Sequence, residues 1–488
     1  MKRFLIGVGF AVVILISVLC IRTFSSFEAP TEVTSVSINA DFTQCAQHLS
    51  QAVQYQTVTF QDPGRIDRDE FISLQAYLET TFPTVFATLR KEVFGELSLL
   101  LTWQGRDSTL NPILLLAHQD VVPVSPGTEE NWIQPPFSGI IIDGYIWGRG
   151  TLDMKSGLLG ILEAVEALLK EGFQPKRTIM LVFGHDEESG GIYGAKEIAE
   201  YLHSRNIHFE YVLDEGGLIS EGIITDVADP VALIGIAEKG IVSLKLSVEA
   251  EGGHSSMPGK NTAVGILCKA ITRLEDNLFP ANMEYAEQLF AAIAPEMPFF
   301  NRMILSNLWL FRPLVQSQLE ESRSGNASIR TTTAATMISG GEKENVLPVK
   351  ATAVVNFRIM PGETIPSVLK YVEETISDSQ VEVEVLNPLM STDPSPMAST
   401  SSKSYDVIRK SILQVSDEKL LVAPYVLVGA TDSRHFTGIS DNVYRFLFNR
   451  LKPDDLKRIH GTNERISVKN YEQTVKFYYQ LLRNSQHL

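Results

Sequence analysis

Short apolar runs alternate with helical segments between about residues 41 and 238. Buried strands are predicted at PILLLA, TIMLVF and YVL, because each is a short, continuous apolar run. Helical spacing of apolar residues is found in SGLLGILEAVEALLKEG, which ends in Gly172. Such alternation predicts an α/β domain with a mostly parallel sheet and helices on both faces.

The pattern changes from about residue 239 onward. A half-exposed strand is predicted at GIVSLKLSVEAE, and a helix at NTAVGILCKAITRLED. A strand, a helix and a strand then follow at ATAVVNFRI, IPSVLKYVEETIS and VEVEVL. This order predicts an inserted α+β domain of ferredoxin-like type. An apolar, aromatic-rich insertion from about 279 to 324 lengthens that domain.

A chain of 488 residues exceeds what one hydrophobic core usually serves, so more than one folded unit is expected. A linker that returns the chain to its first domain is predicted at NPLMSTDPSPMASTSSKS. The predicted divisions are an N-terminal segment with a tether (1–40), the first part of the main domain (41–238), the inserted domain (239–388) and the second part of the main domain (389–488). The formal net charge of -16 argues against nucleic acid as a partner, because its phosphates would be repelled.

The N-terminal segment contains an uninterrupted apolar run from Phe4 to Ile21. As a helix, this run would extend about 27 Å, close to the thickness of a bilayer core. Lys2 and Arg3 mark its cytoplasmic end. We favour an uncleaved membrane anchor, because no A-x-A-like cleavage site follows the run; a cleaved signal peptide is the alternative. Both place the body of the protein outside the cytoplasm, either tethered or secreted.

Residues of the types that can bind metals follow several of the predicted strands. In an open parallel sheet, functional sites usually lie at the carboxyl ends of the strands. The three cysteines include one in the apolar run, which excludes a disulfide scaffold and a thiolate zinc site. Each histidine or carboxylate alone has an ordinary structural explanation, such as a helix cap. Together, so many carboxylates require cations to offset them. The candidates are His118, Asp120, Asp153, Glu187, Glu188, Asp214 and His460.

Six segments, in this order along the chain, resemble the M20 metallopeptidases, the dinuclear zinc carboxypeptidases and aminoacylases. They are LLLAHQDVVPV, WGRGTLDMKSG, GHDEESGG, GGHSSMPG, NFRIMPG and RIHGTNERI. PPFSG, IRTTTA and other segments are most similar to the branch with carboxypeptidase S and the N-fatty-acyl-amino-acid synthase/hydrolase. The resemblance implies that the main domain is catalytic and that the inserted domain is a lid and dimerisation domain.

The resemblance also implies two Zn²⁺ ions per subunit and a role for each candidate. Glu187 would be the general base, and Asp120 would orient the imidazole of His118. A cis peptide bond is expected after Asp153. No role follows for Asp186, for which contact with solvent or capping is predicted. The implied zinc ligands are His118 and Asp214 for one ion, Glu188 and His460 for the other, and Asp153 as the bridge between them.

Three further residues are implied to bind substrate. His254 would stabilise the developing oxyanion from the partner subunit of a homodimer. Arg358 would bind a free substrate carboxylate, and the alternation of its strand places it on the face opposite Val355 and Phe357. Asn326 matches a lid position of the family and also lies in a glycosylation sequon. The segment GATDSRHF would line the same pocket.

The predicted function is the hydrolysis of an amide bond next to a free carboxylate. The substrate would be a peptide, for a carboxypeptidase, or an N-acyl amino acid. The alternative is a non-catalytic binding protein of M20 fold. Such a protein would be expected to lack a metal ligand or the general base, and this sequence has all of them. A related cocatalytic aminopeptidase would lack the inserted domain with its GGHS loop. The apolar insertion would widen a pocket for acyl chains, rest on the membrane or form packed core.

Overall fold

The computed structural model describes residues 1–25, 33–38 and 43–488; part of the predicted tether and the start of the main domain lie outside these ranges. One N-terminal helix precedes the main domain. It is α1 (Lys2–Ser25). The first part of the main domain contains α2 (Cys45–Ala52), α3 (Arg68–Thr81), α4 (Pro83–Thr88), β1 (Arg90–Phe94), β2 (Ser98–Trp103), β3 (Ile113–His118), β4 (Ile141–Ile142), β5 (Tyr145–Trp147), α5 (Lys155–Lys170), β6 (Ile179–Gly184), α6 (Ala195–Ser204), β7 (Tyr211–Asp214), β8 (Leu218–Ser220) and β9 (Val231–Glu238).

The inserted domain and the second part of the main domain follow. The inserted domain contains β10 (Gly240–Glu249), β11 (Gly253–His254), α7 (Ala263–Asp276), α8 (Glu284–Ile293), α9 (Phe299–Ser306), α10 (Leu308–Glu321), α11 (Arg323–Ile329), β12 (Thr332–Gly340), β13 (Val346–Leu347), β14 (Lys350–Ile359), α12 (Ile365–Ile376) and β15 (Val381–Val385). The chain then forms α13 (Lys403–Val415), β16 (Leu421–Leu427), β17 (Val443–Arg445), β18 (Arg450–Leu451), β19 (Arg465–Ser467) and α14 (Val468–Asn484).

The main domain is built on a mixed sheet in the order β1-β2-β6-β3-β7-β17-β9-β8-β18, with β16 also paired to β9. The central strands β6, β3, β7 and β17 are parallel, whereas β1 and β2 are antiparallel. β3 and β6 are buried along their whole length, which explains their continuous apolar sequences. The predicted α/β class with a mostly parallel central sheet is confirmed.

Helices cover both faces of this sheet and leave the carboxyl ends of its strands open. α5 and α14 contribute to the large core on one face, and α6 contributes to a smaller core on the other. α5 packs closely against α14 at Gly160, where an added Cβ would lie 3.1 Å from Thr474 and 3.3 Å from Tyr478. The crevice at the carboxyl ends of β3, β6 and β7 is therefore the place where loops from several strands meet.

The inserted domain has the predicted ferredoxin-like arrangement. Its antiparallel sheet has the order β12-β14-β10-β15, and α7 and α12 contribute to the core of this domain. In β14 the apolar residues at 351, 353, 355, 357 and 359 are buried, while the intervening residues are more exposed. Arg358 therefore lies on the face predicted for it. The predicted domain boundary between residues 238 and 239 lies between β9 and β10. The predicted boundary between residues 388 and 389 lies between β15 and α13.

The apolar insertion folds into the helices α8 to α11 and joins two parts of the molecule. α8 packs beside β16 of the main domain, and Ile293 shares a core with Leu421 and Ala423. α9 contacts the end of α1, where Phe24 and Phe299 have their ring centroids 6.0 Å apart. The insertion is thus partly packed core and partly a neighbour of the N-terminal helix.

Candidate active site

The loops after β3, β6 and β7 and two distant segments bring polar side chains into one crevice. His118 ends β3 and is buried. Its Nδ1 lies 2.9 Å from the carbonyl oxygen of Asp120, and its Nε2 lies 3.0 Å from Asp153 Oδ1. Because the backbone carbonyl holds Nδ1, the opposite ring nitrogen is directed towards the carboxylates.

Asp153 lies between the two histidines of the crevice. Its Oδ2 is 3.0 Å from His460 Nε2, whereas its Oδ1 contacts His118. His460 Nε2 also lies 3.2 Å from Glu188 Oε2. The peptide bond between Asp153 and Met154 is cis, as the family resemblance predicted. One carboxylate thus presents an oxygen to each of two imidazoles that belong to opposite ends of the chain.

Asp120 organises the loop that carries Glu187 and Glu188. One of its carboxylate oxygens accepts a hydrogen bond from the Glu187 amide at 3.2 Å, and the other accepts from the Glu188 amide at 3.1 Å. Thr59 Oγ1 donates to the second oxygen at 2.7 Å. Asp120 therefore contacts His118 mainly through its carbonyl oxygen, and its carboxylate fixes the position of the two glutamates.

The structure differs from the sequence-based prediction at Asp214. Glu215 Oε1, and not a carboxylate oxygen of Asp214, lies 3.2 Å from His118 Nε2. The two oxygens of Asp214 accept hydrogen bonds from the amides of Glu215 and Ser433, at 2.9 and 2.7 Å.

The acidic residues of the crevice carry more negative charge than the described side chains neutralise. Burial, followed by the charge of Asp153, raises the pKa of Glu215 to about 8. Burial and the charge of Glu188 hold the pKa of Glu187 well above its ordinary value. Glu188 Oε1 is buried, and within the described residues no donor reaches it. Such crowding is relieved when cations bind.

The donor set fits metal ions. Two groups have ligand atoms that all lie within 4.8 Å of one another, namely His118 with Asp153 and Glu188, and His118 with Glu187 and Glu215. Imidazole nitrogens and carboxylate oxygens are the ligands that zinc accepts in sites of this kind. The unpartnered Glu188 oxygen supports the same interpretation, because a metal ligand has no need of a hydrogen-bond donor.

Glu464 is a residue of the site that the sequence analysis missed. Its Oε1 accepts hydrogen bonds from the amides of Gly150 and Leu152, at 2.9 and 2.8 Å, and its Oε2 pairs with Arg149 at 2.6 Å. It thereby fixes the turn that presents Asp153. Its position four residues after His460 in RIHGTNERI was the available signal, but its function depends on a loop over 300 residues away in the chain.

A cleft of about 620 Å³ opens beside these residues and extends to the inserted domain. Asp153, Glu187, Glu188, Glu215 and His460 lie along it on the main-domain side. On the other side Ile241 and Arg358 come from β10 and β14 of the inserted domain. Four residues of GATDSRHF also line it, as predicted, and they are Gly429, Ala430, Arg434 and His435.

Two of the predicted substrate-binding residues do not line the cleft, and Asp186, for which no role was predicted, is not exposed. His254 is exposed on β11, with its Nδ1 accepting from the amide of Ser256 at 3.1 Å. Asn326 lies in α11 and, like His254, is not among the described residues that line the cleft. Asp186 is buried and accepts from the amide of Tyr193 at 2.7 Å, so the predicted contact with solvent is wrong. Burial raises the pKa of Asp186 to about 6.

The sequence matches a known protein family over most of its length. Residues 114–484 match the model of Peptidase family M20/M25/M40. The chain belongs to the M20 peptidase family. It is 42% identical over 499 residues to the N-fatty-acyl-amino acid synthase/hydrolase PM20D1 of Xenopus tropicalis, with 99% of this chain and 94% of that protein covered. It is 38% identical to the probable carboxypeptidase S-like 2 of Dictyostelium discoideum, with coverages of 99% and 93%.

More distant relatives agree with this assignment. Carboxypeptidase S of Saccharomyces cerevisiae is 31% identical over 488 residues, with 90% of this M20 chain and 83% of that protein covered. Among solved structures, the M20 family metallo-carboxypeptidase Sso-CP2 from Sulfolobus solfataricus has a TM-score of 0.66 at 17% identity. That match covers 91% of this chain and 99% of the other, and it shows the fold. The protein is an amide hydrolase of the M20 metallopeptidase type, a family whose enzymes use metal ions.

Proposed function

We propose that this M20 enzyme is a dinuclear zinc hydrolase that cleaves an amide bond next to a free carboxylate. The observation that carries the proposal is the position of Asp153, whose two oxygens each lie 3.0 Å from a different imidazole, those of His118 and His460. A carboxylate held in this way is suited to bridge two ions.

The residues divide into two ligand sets that share Asp153. His118 and Glu215 would hold one ion, with Glu215 replacing the predicted Asp214, and Glu188 and His460 would hold the other. When bound, zinc ions acidify water and polarise a substrate carbonyl. The burial of the crevice strengthens these electrostatic effects, because water is largely excluded from His118 and Glu215.

Glu187 is proposed as the residue that moves the proton. It lines the cleft, and its backbone is fixed by Asp120. Its carboxylate would accept a proton from the attacking water and then deliver it to the nitrogen of the leaving group. Burial raises its pKa and two bound cations would lower it, so the carboxylate would be able both to accept and to release a proton.

Arg358 is proposed to select the substrate carboxylate from across the cleft. Its guanidinium belongs to the inserted domain, while the scissile bond would lie on the main-domain side. The distance between the two sides would then determine which amide bond is cut, because the carboxylate is held at one end. The curated relatives are named as carboxypeptidases and as N-fatty-acyl-amino acid synthase/hydrolases, so peptides and N-acyl amino acids are the two candidate substrate classes.

The dimer and the membrane anchor belong to the same proposal. His254 is exposed and does not reach the cleft of its own chain in this structure, which is consistent with a role in the partner's site. α1 is long and apolar enough to cross a membrane. We propose an uncleaved, single-pass protein with its catalytic body outside the cytoplasm; a cleaved signal sequence would give a secreted enzyme.

A substrate comparison tests the proposed function. The full chain is incubated with Zn²⁺ and, in parallel, with a blocked dipeptide and with an N-fatty-acyl amino acid, and the release of free amino acid is measured. We expect hydrolysis of at least one substrate and little hydrolysis of the same substrate with its carboxylate amidated. Equal rates on the acid and the amide would contradict selection by the carboxylate, and no release from either would contradict the reaction class.

A further inference from the structure

The end of α1 that is remote from Lys2 is hydrogen-bonded to the apolar insertion. Asn307 Nδ2 donates to the carbonyl oxygen of Leu19 at 3.2 Å, and Arg302 Nε donates to that of Thr23 at 3.1 Å. Thr23 is fully buried. The insertion is therefore fixed beside the last turns of the helix and not merely connected to it by a tether.

These contacts define where the insertion lies relative to a membrane. The apolar span Arg3–Ser25 contains 23 residues, and such a helix is about 34 Å long, against about 30 Å for a hydrocarbon core. If α1 crosses the bilayer with its basic end in the cytoplasm, Thr23 lies at the outer boundary of the core and Leu19 lies about one helical turn inside it. Their partners Asn307 and Arg302 then lie at the same level.

The insertion exposes large apolar side chains next to these contacts. Leu310 and Leu314 share one side of α10, because residues four apart lie one above the other on a helix, and Trp309 lies beside Leu310 in the first turn. Trp309 is 57% exposed and Phe300 is 70% exposed. The outer-leaflet surface, as we call this patch, consists of Phe299, Phe300, Trp309, Leu310 and Leu314.

The charges of the segment suit a lipid surface. Residues 297–319 contain two arginines, Arg302 and Arg312, and no aspartate or glutamate, in a chain with 58 acidic residues. Tryptophan, phenylalanine and leucine beside arginine are typical of helices that lie in the interfacial region of a bilayer.

We propose that α9 and the first half of α10 lie on the outer leaflet and insert the outer-leaflet surface into the interfacial region of the bilayer. The body would then have two membrane contacts, the spanning helix and this surface, and these contacts would fix its orientation. The occupant is lipid and not a second protein chain, because the hydrogen bonds to α1 place the surface at the bilayer boundary.

The tryptophans allow a direct test. The chain has four, and Trp103, Trp132 and Trp147 are 4%, 9% and 5% exposed in the main domain, whereas Trp309 lies on the outer-leaflet surface. The uncleaved full chain is reconstituted into phosphatidylcholine nanodiscs made with ordinary or with acyl-brominated lipid, and tryptophan emission is compared. Bromine quenches only tryptophans that it approaches closely. We expect quenching in the native chain, stronger with bromines near the headgroup than with bromines near the end of the acyl chain.

Two variants show which tryptophan is quenched by the brominated lipid. Trp309→Phe should lose the quenching by brominated lipid, whereas Trp103→Phe, which removes a buried tryptophan, should retain it. The near-ultraviolet circular dichroism of both variants controls for folding. Absence of quenching in the native chain would overturn the proposal and would indicate that water or a second copy of the chain covers Trp309. Equal quenching in Trp309→Phe would overturn it as well, because another tryptophan would then approach the lipid.

Discussion

At the scale of single residues, two substitutions test the proposal that Glu215 and not Asp214 holds a metal ion. Glu215→Gln should lose about one of two zinc ions per chain at limiting metal, because the amide is a poor zinc ligand. Asp214→Asn should keep both ions and instead lower stability by about 1–2 kcal/mol, since it weakens hydrogen bonds to two backbone amides. Measuring the zinc content and the thermal unfolding of both variants distinguishes the two roles. Loss of zinc from Asp214→Asn but not from Glu215→Gln would show that Asp214 is the ligand, as the sequence predicted.

Arg358 provides a second test at this scale. We expect Arg358→Lys to lose ten- to a hundredfold in kcat/KM, or ~1.5–3 kcal/mol, because an ammonium cannot reproduce the planar guanidinium fork. Substrates with an amidated carboxylate should be poor for the native enzyme and little affected by the substitution. Kinetics with matched acid and amide substrates check this, and equal losses on both would show that Arg358 has a structural role.

At the scale of elements, the alternating patterns predicted the fold better than they predicted the site. Five strands lie where their apolar patterns predicted them, because a strand that is buried on one or both faces has a characteristic spacing of apolar residues in the local sequence. These strands are β3, β6, β7, β10 and β14. Glu215 and Asp214 are adjacent acids at the end of β7, and their partners differ in a way that the local sequence does not predict: Glu215 lies beside His118, whereas Asp214 accepts from two backbone amides. Glu464 was missed for the same reason, because its partners come from a remote loop.

The junction between β9 and β10 contains a buried lysine whose effect depends on pH. Lys239 Nζ donates to the Arg330 carbonyl at 2.6 Å, and burial lowers its pKa from 10.5 to about 8. Between these values the unfolded chain binds more protons than the folded chain, so this residue's contribution to stability rises with pH. The thermal midpoint of the native chain, relative to Lys239→Met, should therefore rise from pH 8 to pH 10. If the difference in thermal midpoint between the native chain and Lys239→Met stays constant or falls over this range, the lowered pKa of Lys239 is contradicted.

At the scale of the whole molecule, the proposed dimer would complete each active site with a residue from the other subunit. His254→Ala and Glu187→Gln chains should each be inactive on their own. In a heterodimer of the two, one of the two sites retains both groups, and about half of the dimers in an equal mixture are heterodimers. Mixing should therefore restore up to about a quarter of the native activity. Activity after demonstrated subunit exchange is the measurement. No recovery would contradict a role in trans, and activity of His254→Ala alone would remove the residue from the mechanism.

The central claim is that two metal ions and one proton-carrying glutamate perform hydrolysis in the crevice around Asp153. Glu187→Gln tests it most directly, because this change removes the proposed base and leaves the ligands His118, Glu188, Glu215 and His460 in place. We expect two zinc ions per chain in both the native protein and the variant, and a loss of turnover of at least a hundredfold in the variant. A variant that has lost zinc, or one that retains native turnover, would contradict the division of roles.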